Sequence, residues 1–346
     1  MPKISSAVLH SVFYLFRRCP KTGELLGPEG TGAFISRQSR RFPDQPHWYA
    51  VTNRHVACTG GASIIGINVS TGGRRYLEFD PSEWHFANDG DDLAAIDLTD
   101  HGDLHDLVIL TPEDVFITPD IVEEFDIGPG EDTFMCGLFY NHHGGSVNVP
   151  ALRFGNISML ANVVSTVKVP TGALRPCHLV DTRSRSGFSG SPVFAYRTRG
   201  SDLTAIPMGW IRDLSRGGTI DIAHPKNYFV GLLGIHCGQF WETVKAFKSK
   251  PEELIGDPVR DGDELDIQGG MTMVVPAWCI TDLLNLEVFE TMRDERDEKR
   301  GAEARSRPQA EGVSKPAPLA NDANPTHGED FMRLVGAAAR KPEQEG

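Results

Sequence analysis

The chain has 346 residues, 40% hydrophobic and 23% charged, with 34 Lys and Arg against 47 Asp and Glu for a formal charge of −13. The apolar fraction excludes a wholly disordered chain. The lack of clustered basic residues excludes a general binder of nucleic acid or anionic membranes, which must meet phosphates. Thirty-six glycines and 23 prolines, spread without period, point to many turns and many short strands.

From the N-terminus, the run Ala7–Phe16 is too short and too polar to span a bilayer, which takes about 18 apolar residues. Its Arg17-Arg18 pair follows the apolar run, where a secretory leader carries its charge before it, so the run reads as a first β-strand and the chain as cytoplasmic. Further apolar runs follow at Gly32–Ser36, Trp48–Thr52, Ser63–Val69, Leu93–Leu98, Phe134–Phe139, Arg153–Leu160, Ser191–Tyr196, Val230–His236 and Met271–Val275. None is regularly followed by a long helix, which predicts an all-β, antiparallel barrel or sandwich. At Pro276 the pattern changes to a helix carrying Ile280, Leu283, Leu284, Leu286 and Val288. From Thr291 the chain is charge-rich and reads as disordered, apart from Asp330–Val335, which could form a short helix docking on this chain or on a partner. The six cysteines lack metal-ligand spacing and read as free thiols. The adjacent pair His142-His143 has no third ligand nearby, so no metal or other cofactor is expected.

Three words carry chemistry. Arg185-Ser186-Gly187-Phe188-Ser189-Gly190-Ser191-Pro192 sets a serine between glycines ahead of an apolar strand, where a sharp turn can aim the Gly187 and Ser189 amides at a developing oxyanion. Val51-Thr52-Asn53-Arg54-His55 puts an imidazole just past a strand, and Asp92-Leu93-Ala94-Ala95-Ile96 begins a strand with a carboxylate. A serine hydroxyl needs an imidazole to take its proton, and the imidazole needs a carboxylate to hold it.

With Gly30-Thr31-Gly32-Ala33-Phe34-Ile35 and Gly231-Leu232-Leu233-Gly234-Ile235-His236, these words resemble the trypsin-like (chymotrypsin-fold) serine peptidases, in the compact bacterial form that includes HtrA-like and glutamyl endopeptidase-like enzymes. The resemblance covers about residues 5–285. It implies two packed antiparallel six-stranded β-barrels, with residues 1–120 carrying His and Asp. Residues 121–290 would carry Ser, the pocket strand and the closing helix, and 291–346 would be a tail. It implies His55 as general base, Asp92 as orienting carboxylate and Ser189 as nucleophile, with the Gly187 and Ser189 amides as oxyanion hole. His236 and Gly234 would line a pocket for a substrate Glu or Gln, Arg183 could enter it, and residues 197–229 could form a lid. Phe188 stands where digestive members carry an Asp, so their activation switch is not expected. The implied activity is endopeptidase action on protein or peptide substrates. A second function class is a binding or scaffold protein of this fold with little turnover.

Overall fold

The computed structural model describes residues 3–69, 72–101, 104, 107–162, 164–182, 187–198, 229–245 and 264–306. In the first half, β1 (Val12–Phe16), β2 (Gly30–Arg37), β3 (His47–Thr52), β4 (Ile64–Asn68), β5 (Arg74–Leu77) and β6 (Ala94–Asp97) form an antiparallel sheet in the order β5-β4-β1-β2-β3-β6, and β7 (Thr111–Pro112) adds to β2 in parallel. Helix α1 (Pro119–Phe125) then leads into the second half, its first turn capped by Thr118. There β8 (Asp132–Gly137), β9 (Ala151–Met159), β12 (His178–Asp181), β13 (Pro192–Arg197), β14 (Phe229–Lys245) and β15 (Glu264–Pro276) close a six-stranded barrel. Strands β10 (Thr166–Lys168) and β11 (Leu174–Pro176) make a separate hairpin.

The apolar runs are continuous because the strands are covered on both faces. Phe13, Leu15, Phe34 and Ala50 fill the inside of the first sheet, whereas Val12, Ala33, Ile35, Tyr49 and Val51 pack on the second half. In the barrel, Met135, Val193, Ala195 and Val274 point inward, and their neighbours Phe134, Phe194, Met273 and Val275 join the layer between the halves. Successive residues of a strand thus serve two cores, as the period of two requires.

Two expectations are corrected. The first half is an open sheet, not a closed barrel. Asp80 accepts from Ser82 N and Glu83 accepts from Asp80 N, a capping box around the turn Pro81–Glu83. This turn pulls the chain out of strand geometry between β5 and β6, and closure shrinks to one bridge, His85 with Ala95. The buried Trp84 fills the gap. In the N-terminal run, Ser6–His10 is a 3-10 helix, and the strand starts only at Val12.

The charged segment from Thr291 is also corrected. After α2 (Ala277–Leu284), helix α3 runs Glu287–Ser306. Its charges are not merely solvated. Arg293 donates to the Leu284 carbonyl at 2.8 Å and the Tyr49 hydroxyl at 3.1 Å, and Arg296 bridges Asp97 and Asp100. Asp297 is 6% exposed and accepts from Ser39 Oγ at 2.6 Å. Composition alone reads such a segment as disordered because the carboxylates that pair with Arg296 are ~200 residues away in sequence. The Asp330–Val335 segment lies outside the described residues.

Phe289 fixes α3 to the first sheet: it is fully buried, with its ring edge-on to Tyr49 at 5.4 Å and His85 at 5.2 Å. Phe289→Ala is expected to lower unfolding free energy by roughly 3–5 kcal/mol. Urea unfolding followed by tryptophan fluorescence checks this; a loss below about 0.5 kcal/mol, the range of a surface change, would contradict the anchoring.

Candidate active site

His55 comes three residues after β3. The strand ends at Thr52, and the buried Asn53 donates from Nδ2 to the Asp92 carbonyl at 2.8 Å. The chain then makes one wide turn, His55–Thr59, closed by Gly60 N donating to the His55 carbonyl at 2.8 Å. Such i to i+5 turns are rare and often accompany function. A Cβ on Gly60 would lie 2.9 Å from the carbonyl oxygens of His55 and Val56, so a side chain there would crowd the turn.

Asp92 stands two residues before β6 and is fully buried. One carboxylate oxygen lies 2.5 Å from His55 Nδ1, and the other accepts from His55 N at 2.9 Å. Both oxygens therefore hold the same residue, fixing ring and backbone together. With Nδ1–H given to the carboxylate, the lone pair of Nε2 is left for another group. The imidazole is 30% exposed, while its partner is dry.

Ser189 sits in a turn that leads into β13 and is partly exposed. All three carbonyls of the turn are held from within. Gly187 O accepts from Thr31 Oγ1 at 2.9 Å, Phe188 O from Ser191 N at 2.9 Å, and Ser189 O from Thr31 N at 2.8 Å. Gly190 has φ +85°, and a Cβ there would be 1.9 Å from the Thr31 carbonyl, so only glycine fits. A Cβ on Gly30 would meet Val56 at 2.6 Å and the Ser189 carbonyl at 3.4 Å. The turn after His55, the start of β2 and the serine turn thus converge on one point, docking the Ser189 turn beside the turn that carries the His55–Asp92 pair.

His236, in β14, is 3% exposed. Its Nδ1 donates to the Phe188 carbonyl at 3.1 Å, and its Nε2 is buried without a hydrogen-bond partner among the described residues. Burial lowers its pKa to about 4, with the nearby charge of His55 acting in the same direction, so the ring is neutral at pH 7. Gly234 is buried in the barrel wall, where a Cβ would sit 1.9 Å from the Val275 carbonyl. Arg183 and the segment 199–228, which covers most of the expected lid, lie outside the described residues. Among the described residues, no group of three His, Cys, Asp or Glu side chains could hold a metal ion.

Two residues of the site are not singled out by the sequence pattern. Thr31 reads there only as part of a strand opening, although a threonine between two glycines at the head of an apolar strand is a usable signal. Asn53 reads only as a neighbour of the histidine.

No protein-family model matches the chain, and no curated protein does. In structure the chain is similar to the Rv3671c protease from M. tuberculosis in its active form, with TM-score 0.40, 16% identity and 81% of each chain covered. It is also similar to the inactive form of that protease, with TM-score 0.38, 16% identity, 81% of this chain and 89% of the other covered.

The buried histidines have a consequence for stability. Desolvation lowers His178 to about 3 and His236 to about 4, whereas both return to about 6.5 on unfolding. Below pH 6.5 the unfolded chain binds protons that the native chain refuses, so stability is full above that pH and falls as the solution is acidified toward pH 4. His178 Nδ1 accepts from Ala161 N at 3.1 Å, a role that an Asn side-chain oxygen can take. His178→Asn is expected to remove roughly 2–3 kcal/mol of the stability lost between pH 7.5 and 4.5. Urea unfolding at the two pH values tests this, and an unchanged difference would contradict it.

Proposed function

We propose that this chain is a serine endopeptidase of the chymotrypsin type, with Ser189 as nucleophile, His55 as general base and Asp92 as its orienting carboxylate. The observation that carries the reading is the double hold of Asp92 on His55, through Nδ1 and the backbone N–H, beside the docked Ser189 turn. His55 Nε2 takes the Ser189 proton as Oγ attacks the scissile carbonyl. The imidazolium, stabilised by Asp92, then protonates the leaving amine, and water hydrolyses the acyl-enzyme by the reverse sequence. The Phe188 carbonyl accepts from Ser191 N and His236 Nδ1 inside the protein, so the Ser189 N–H, trans to it in the same peptide, faces the other way, and this amide with that of Gly187 is assigned to the oxyanion.

His236 supports a substrate side chain of Gln over Glu. Its Nδ1–H is given to Phe188 and the ring is neutral at pH 7, so Nε2, which has no partner among the described residues, is an acceptor. An acceptor pairs with an amide N–H; it repels a carboxylate until the ring is protonated.

A library of matched peptides with Gln, Glu, Phe or Arg before the scissile bond tests both claims. Cleavage is expected after Gln, at least about tenfold faster than after Glu at pH 7.5, with the gap narrowing toward pH 5. Ser189→Ala is expected to lose at least about 1000-fold of the rate. Cleavage after Arg or Phe with Gln peptides untouched would overturn the pocket assignment. Peptide binding without cleavage by folded wild type would favour a binding protein of this fold.

A further inference from the structure

We propose that Arg175 is a positioning residue that sets the place of Asp92 from the other half of the molecule. This inference rests on the catalytic reading of Asp92. Asp92 follows the turn Asp89-Gly90-Asp91, and that turn is gripped by the β10–β11 hairpin. Arg175 Nε lies 2.6 Å from Asp91 Oδ1 and Nη2 lies 2.9 Å from Asp91 Oδ2, a two-point fork on a carboxylate that is 5% exposed. The same Nη2 reaches Asp89 Oδ2 at 3.3 Å. Thr171 Oγ1 donates to the Gly90 carbonyl at 2.8 Å. Gly90 has φ +96°, and a Cβ there would be 2.6 Å from Ala173 Cβ, so the turn's backbone lies directly against the hairpin.

The grip bears on chemistry because of what Asp92 must do. Its two oxygens have to reach His55 N and Nδ1 at once, so a small drift of the preceding peptide breaks one contact or the other. On the first-half side, Asn53 holds only the Asp92 carbonyl. The residues immediately before Asp92 are tied to the hairpin, through Arg175 on the two carboxylates and Thr171 on the backbone between them.

The surroundings make the arginine hard to replace. Asp89, Asp91 and Asp282 all face it, with the Cys279 thiol beside Asp91. Three carboxyls against one guanidinium leave the turn repelling itself if the cation is lost. A fork also fixes direction, which a point charge does not.

The test is the rate of labelling by a fluorophosphonate probe across pH, with urea unfolding to confirm that each variant is folded. In Arg175→Gln the maximal labelling rate is expected to fall about 10- to 100-fold, the scale of a displaced catalytic group, with the probe's half-saturating concentration within about twofold of wild type. The midpoint of the pH–rate curve is expected to fall, because an imidazole that loses its carboxylate holds its proton less tightly. A cation acting only through space would do the reverse: its removal would raise the midpoint. Arg175→Lys should recover part of the rate. Gly90→Ala, which changes no charge, should be slowed like Arg175→Gln by pushing the turn off the hairpin. Arg175→Gln labelled at the wild-type rate, or with a raised midpoint, would overturn the inference.

If folded wild type is not labelled at all, the catalytic reading fails, not the grip. The grip is then read from the downfield Nδ1 proton of His55 by NMR. That resonance should be present in wild type and lost or broadened in Arg175→Gln. An identical resonance in the variant would refute the positioning role.

Discussion

One threonine joins the two halves of the chain at the candidate site. Thr31 N donates to Ser189 O, its hydroxyl donates to Gly187 O and accepts from Leu138 N, and its own carbonyl accepts from Thr52 Oγ1. The side chain is fully buried, where each of these bonds would be costly to leave unmade. The serine turn therefore cannot move independently of β2, and β2 pairs with β3, whose end leads to His55. Gly190 completes the arrangement by letting the turn lie directly on the Thr31 carbonyl.

The apolar layers explain why the junction falls at that place. Alternate residues of each strand serve the inside of their own half or the layer shared between halves, so strand ends meet along a seam. His55, Asp92 and Ser189 each lie two or three residues beyond a strand end at that seam, where backbone amides and carbonyls are free of ladder bonding and can bind side chains. The hairpin carrying Arg175 adds another crossing between the halves, at the turn just before Asp92. Asp92 is thus fixed by groups that converge only when both halves are folded and packed.

Much of this is legible in the residues. The apolar runs of the main strands and the helix after Pro276 follow from pattern and turn chemistry, and so does the candidate set of His55, Asp92 and Ser189. The short strands β5, β10, β11 and β12 are not legible. Sequences such as Arg74–Leu77 or Leu174–Pro176 are too short and too polar for a period of two to emerge. Helix α3 escapes a reading by composition because its stabilising partners, Asp97, Asp100 and Tyr49, are distant in sequence. The grip of Arg175 on Asp91 is hidden for the same reason, since an arginine in a hairpin carries no local mark of the carboxylate it will meet.

The central claim is that His55 activates Ser189. It is tested most directly by mixing the protein with an activated ester, quenching in acid within milliseconds, and mapping the acyl group by peptide mass. The account predicts acylation of Ser189 in wild type and essentially none in a folded His55→Ala variant. An acyl group on another residue, or equal acylation of Ser189 without His55, would contradict it.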